Sequence, residues 1–184
     1  MKKFTDWMAK GPKLNFEVPV IGGQNDPRLD PLFNALGVAT DPDEAADIEA
    51  GIWALWGLSG DEEIDQLMTI GIGAIGAKDG ETALLAFNEI ITKAPGYAEG
   101  WNKRATLFYL AGEHELSISD IKKTLSLEPR HFGALSGLGL VYIAMGEEHK
   151  ALDAFEEALK IHPYMESTKS HIRELRGLVR GRRV

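Results

Sequence analysis

Three prolines stand at equal intervals, Pro95, Pro129 and Pro163, and both gaps (129 − 95 and 163 − 129) are 34 residues. Proline has no N–H and disfavours helix at the residue before it, so each one ends a helix and lets another begin. The residues between these stops recur in register. Block 132–165 carries Leu135, Leu138-Gly139, Tyr142, Ala151, Phe155, Ala158 and Pro163. Block 98–131 aligns Trp101, Ala105, Phe108, Ser117, Ile121 and Pro129, and block 64–97 aligns Leu67, Ile70-Gly71, Ala74, Ala83, Phe87 and Pro95. A repeat of this length holds two amphipathic helices. No pair can bury its apolar face alone, so successive pairs must stack.

The large, small and aromatic positions of this pattern resemble the tetratricopeptide repeat (TPR) family across 64–165. The resemblance implies an all-α fold, a right-handed superhelix with three TPR motifs at 64–97, 98–131 and 132–165. Turns are expected near Gly112-Glu113 and Gly146-Glu147, where glycine ends a helix readily. Gly71, Ala105 and Gly139 are the small positions that let paired helices approach. Trp101, Tyr142, Phe87 and Phe155 are the large residues expected to fill the space between successive pairs.

The repeat also disposes of a competing motif. Gly71, Gly73 and Gly76 in GIGAIGAKDG satisfy G-x-G-x-x-G, the pattern of a dinucleotide-binding turn. That turn needs a strand before it. Here DEEIDQLMT precedes it, with Ile64, Leu67 and Met68 at helical spacing. The glycines are read as allowing close helix packing, and no cofactor is expected.

The chain has no cysteine, which excludes disulfides and thiolate chemistry. Its net charge of -8 is unevenly spread. Residues 164–184 hold six cations and two acids (6 − 2 = +4), and residues 1–23 hold four and two (4 − 2 = +2). Residues 24–163 therefore carry -8 − 4 − 2 = -14. An acidic body with basic ends argues against nucleic acid as a partner. No apolar window reaches the ~20 residues of a transmembrane segment. The start, MKKFTDWMAKGPKLNFEVPVIGGQ, lacks the apolar run of a signal peptide. As written the chain reads as cytoplasmic, and a leader removed from the native protein would make it periplasmic.

Residues 24–63 form an N-terminal helical extension. DPRLDPLFNALG reads as a short helix. DPDEAADIEAGIWALWGLSG reads as a longer one, capped by Asp41 with Pro42 at its first position. Its stripe of Ile48, Ile52, Trp53 and Trp56 is expected to cover the open face of the first repeat by core packing, the alternative for the tryptophan pair being a ligand platform. Residues 166–184 form a capping helix with Ile172, Leu175, Leu178 and Val179 on one side. Its basic face, Lys169, Arg173, Arg176 and Arg180, would meet an acidic protein, anionic lipid or a second copy, or would simply be a solvated cap. Residues 1–23 are an arm with Phe4, Trp7 and Met8 at helical spacing. It would be disordered, fill its own groove, or insert into a neighbour's groove to form a homo-oligomer.

No residues announce an enzyme. The histidines His114, His131, His149, His162 and His171 lack i, i+4 partner spacing and are read as surface or loop residues. The acids read as solvated helix faces, and no nucleophile motif or metal set appears. The TPR resemblance instead implies a concave groove that binds a protein or peptide partner. Its lining would be Asp65, Met68, Ile72 and Ile75 from the first repeat. The second gives Glu99, Asn102, Lys103, Thr106 and Tyr109, and the third Ser136, Leu140 and Ile143. Either a partner occupies this surface or the chain's own ends cover part of it. The family's carboxylate clamp is not expected, because Asn102, Lys103 and Arg104 share one helix and the flanking helices add no cations. Arg104 stands where a large apolar residue is usual and needs a buried partner, Asp120 or Glu89.

Overall fold

The computed structural model describes residues 22–181, with side chains to residue 177. Among the described residues there are nine helices, one 3-10 turn (Gly23–Asn25) and no strand. Helices α1 (Leu29–Val38) and α2 (Pro42–Trp56) form a hairpin. Three antiparallel pairs follow: α3 (Glu62–Gly76) with α4 (Gly80–Lys93), α5 (Ala98–Leu110) with α6 (His114–Leu127), and α7 (Phe132–Ala144) with α8 (Glu148–Ile161). Helix α9 (Glu166–Gly181) packs on α8 and closes the stack. None is long and apolar enough to cross a membrane. The expected arm lies outside the described residues apart from Gly22 and Gly23.

Local chemistry sets the helix ends. Asp41 accepts Glu44 N–H at 2.9 Å, Asp61 accepts Glu63 N–H at 2.8 Å, and Asp79 accepts Thr82 N–H at 3.1 Å, each satisfying a donor that the first turn leaves open. The three turns inside the pairs are alike. Glu113 N–H reaches back to Phe108 O at 2.9 Å and Glu147 N–H to Tyr142 O at 2.8 Å, while Gly112 and Gly146 take φ of 79° and 75°. In the first pair Asp79 N–H bonds Ala74 O at 2.9 Å, and the left-handed residue is Lys78 at φ 59°.

Each pair is sealed at its small position. A methyl group on Gly71 would lie 2.5 Å from the Phe87 ring, so the two helices touch through bare backbone. Gly139 faces Phe155 in the same way. In the middle pair Ser117 sits opposite Ala105 and donates to its carbonyl at 2.8 Å. The glycine motif is therefore only partly a packing device, because a methyl on Gly73 or Gly76 would meet nothing within 4 Å.

The α1–α2 hairpin departs from expectation. Its Leu29, Leu32, Leu36, Ile48, Ile52 and Trp56 form one core with Phe132 at the start of α7, against which Ile161, Tyr164 and Met165 also pack. It lies along the edge where the proline turns gather, not over the first repeat, and Ile70 on the outer side of α3 stays 51% exposed. The six hairpin side chains are at most 1% exposed. At roughly 1.5–3 kcal/mol each, that burial makes the hairpin a fixed part of the fold.

The same edge explains two more departures. His131 and His162 lie in the turns between helices, as loop residues, but they are buried and not at the surface. His131 caps α7, its Nδ1 accepting Ala134 N–H at 3.0 Å. His162 Nε2 meets Glu49 of α2 at 2.9 Å and its ring lies edge-on to Phe132. Asp26, Glu99, Asp120 and Glu128 are buried as well, so the acids are not all solvated. Asp26 and Glu128 share one geometry across a proline. Arg28 donates its backbone N–H at 3.0 Å and its guanidinium at 2.8 and 2.7 Å to Asp26. Arg130 does the same to Glu128 at 2.9, 3.0 and 3.0 Å.

Candidate functional site: the concave face

The first helices of the three pairs, α3, α5 and α7, line the concave side, and α2 ends across part of it. Trp53 projects from α2 so that a methyl on Gly133 would lie 2.5 Å from its ring. Lys103 Nζ stands 5.5 Å from the centre of the Trp53 ring, and the Trp53 indole N–H donates to Glu49 at 3.1 Å. Trp53, Asp65, Met68, Ile72, Glu99 and Lys103 together border a hollow of about 390 Å³.

Glu99 is the polar centre of this end. It is 3% exposed and accepts three bonds, from Asn102 Nδ2 at 2.9 Å, Lys103 Nζ at 2.7 Å and His131 Nε2 at 2.9 Å. Since His131 Nδ1 accepts from Ala134, the ring proton sits on Nε2 and points at Glu99. Burial pushes the Glu99 carboxyl upward, but the His131 bond and the Lys103 charge outweigh it and hold it below the ordinary carboxylate value. Glu49 is also held low, chiefly by its bond with His162. Burial raises the Tyr97 phenol, which donates to Trp56 O at 2.9 Å. These groups fasten the hairpin to the stack.

The groove residues expected from sequence therefore divide. Met68, Glu99 and Asn102 are buried. Asp65 is half-buried and accepts from Ser59 N–H at 2.7 Å and Ser59 Oγ at 2.6 Å. Lys103 is held by Glu99, and Ser136 Oγ meets Thr168 Oγ1 of α9 at 3.1 Å. Ile75 is half-buried against the core of the first pair. Ile72, Thr106 and Ile143 are exposed, and Tyr109 and Leu140 are half-buried. Thr106, Tyr109 and Leu140 border a second cavity of about 190 Å³ between α5 and α7. Sequence reasoning missed Trp53, His131, Gly133 and Gly137 on this face. The twice-used acid-proline-arginine run, Asp26-Pro27-Arg28 and Glu128-Pro129-Arg130, was the signal that the hairpin and the proline edge share chemistry.

Arg104 resolves onto Asp120, with bonds of 2.7 and 2.9 Å, and adds Asn88 at 2.7 Å. Glu89 pairs with Lys93 instead. On α9, Lys169 pairs with Glu166 at 2.7 Å, Arg176 with Glu156 at 2.8 Å, and Arg173 donates to Ser170 Oγ at 2.7 Å. The Arg180 side chain lies outside the described residues, as do those of Leu178 and Val179.

Residues 132–164 match the family model of the tetratricopeptide repeat. A TPR repeat-containing protein of Rhizobium etli is 39% identical over 156 residues, which cover 85% of this chain and 76% of that protein. The Sgt2 TPR domain from Aspergillus fumigatus superposes with a TM-score of 0.63 at 22% identity, over 67% of this chain and 84% of the domain. The first TPR of Spaghetti (RPAP3), solved bound to the HSP90 peptide SRMEEVD, gives 0.62 at 15% identity, over 64% of this chain and 96% of that one. The stack of three pairs, the repeat register and the relative of similar length agree, and the chain belongs to the tetratricopeptide repeat family.

Proposed function

We propose that the chain is a non-catalytic interaction module, an adaptor that binds a peptide or a helix on its concave face. The observation that carries this reading is the lane of Ile72, Thr106, Tyr109, Leu140 and Ile143, exposed or half-buried among the described residues beside the docked hairpin. Apolar groups at both ends with hydroxyls between them suit helix-in-groove or extended-peptide binding. The HSP90 peptide held by the Spaghetti TPR supports use of such a surface.

The partner chemistry differs from that peptide. Lys103, the cation expected in the groove, is engaged by Glu99 and lies over Trp53. An acidic C-terminal tail finds no clamp among the described residues, so SRMEEVD is expected to show no saturable binding. The direct test is affinity capture by the full chain beside an Ile72→Glu/Tyr109→Ala variant. A partner retained by both proteins equally would contradict the groove reading.

One observation favours a second reading, self-assembly. Ile70 and Leu85 of the first pair are 51% and 64% exposed, because no helix among the described residues stacks on that end. Light scattering separates the readings: a concentration-dependent mass abolished by Ile70→Glu supports assembly. The basic face of α9 is proposed as the solvated end of the stack, where charge discourages further stacking.

A further inference from the structure

Two glycines stand one turn apart on the concave side of α7, and the fold accounts for one of them. At Gly133 the Trp53 ring leaves no room for a side chain. A methyl group on Gly137 would meet nothing within 4 Å. Glycine is among the residues least favoured inside a helix, and no neighbour among the described residues requires it at 137. Gly137 instead forms wall of the 190 Å³ cavity, with Asn102, Thr106, Tyr109, Leu110 and Leu140 around it.

Charge and size narrow the occupant. No residue lining the cavity is charged, in a chain where 26% of residues are. A carboxylate or ammonium entering it would lose water without gaining a counter-charge. An apolar cavity of about 150 Å³ takes up benzene, so one of about 190 Å³ holds a single aromatic ring.

We propose that this cavity is the anchor site of the groove: it receives one aromatic side chain of an uncharged partner segment, and Gly137 keeps it open. The inference rests on the groove reading given above. The neighbouring hydroxyls of Thr106 and Tyr109 border the same opening, where they can meet the backbone of the segment that carries the ring.

The test begins by panning the full chain against phage-displayed random dodecapeptides. Selected peptides are labelled with fluorescein and titrated into the unaltered chain, Gly137→Leu and Ile72→Glu. Thr106→Trp, which fills the cavity from the exposed opposite wall, serves as a second filling variant. Folding is followed by circular dichroism, and Gly137→Ala is expected to raise the melting temperature by about 2–4 °C. The expected peptides share one aromatic residue. Replacing it by alanine, or filling the cavity, weakens binding by about tenfold or more. Peptides that lose affinity with Ile72→Glu yet bind both filling variants as tightly as the unaltered chain would overturn the anchor site and leave the groove. Peptides indifferent to every variant, or no peptide at all, would overturn both.

Discussion

Trp56 lies flat on His131, with ring centroids 4.0 Å apart and planes 8° from parallel. One residue ends α2 and the other caps α7, so this contact joins the N-terminal hairpin to the groove. The histidine cannot turn away, because Ala134 N–H holds one ring nitrogen and Glu99 the other.

His131→Phe keeps the stack and the burial but removes both hydrogen bonds. Helix α7 loses its cap and Glu99 loses a donor, a combined cost of about 2–4 kcal/mol. Urea denaturation of the variant is expected to show that loss, and an unchanged midpoint would mean that stacking alone fixes the hairpin.

Lys78 holds a left-handed conformation at φ 59°, where the two later repeats place Gly112 and Gly146. Residues with a Cβ are disfavoured there by about 1 kcal/mol. Lys78→Gly is therefore expected to raise the melting temperature by about 2–4 °C, and Gly112→Lys to lower it. Calorimetry on both variants decides this.

Arg104→Met leaves Asp120, itself 3% exposed, without the guanidinium it pairs with. Removing one partner of a buried pair costs about 3–5 kcal/mol. The double variant Arg104→Met/Asp120→Leu is expected to recover most of that loss, since no buried charge is left unmatched. A double variant as unstable as the single would show that Arg104 acts through its contacts with Trp101 and Phe108.

Glu49 has a folded-state pKa below its ordinary 4.5, first because of the His162 bond. A carboxylate lowered on folding stabilises fully above its unfolded value and loses that contribution as pH falls through its folded one. The stability difference between the unaltered chain and Glu49→Gln is thus expected to be constant above about pH 5 and to shrink below the ordinary 4.5. A difference that grows as pH falls would reverse the sign of the coupling.

What the sequence made legible is what packs locally. Gly71 against Phe87, Gly139 against Phe155 and Arg104 against Asp120 all lie within one repeat block, so the register finds them. The destination of the hairpin was not legible. The stripe of Ile48, Ile52, Trp53 and Trp56 marks a face to be buried, but its partners Phe132, Ile161 and Tyr164 lie in the last repeat and its flanking turns. The buried histidines escaped for the same reason, since their spacing carries no motif and their neighbours come from distant turns. The groove was legible as a set of positions. Which of them the hairpin covers depends on that long-range docking.

The most direct measurement is the map of backbone amide shifts in the full 15N-labelled chain on titration with a groove-selected peptide. The expected result is a cluster of saturable shifts at Ile72, Thr106, Tyr109, Leu140 and Ile143, with little change along α9. Shifts confined to Lys169, Arg173 and Arg176, or to Ile70 and Leu85 on the outer side of the first pair, would contradict the concave face as the binding surface.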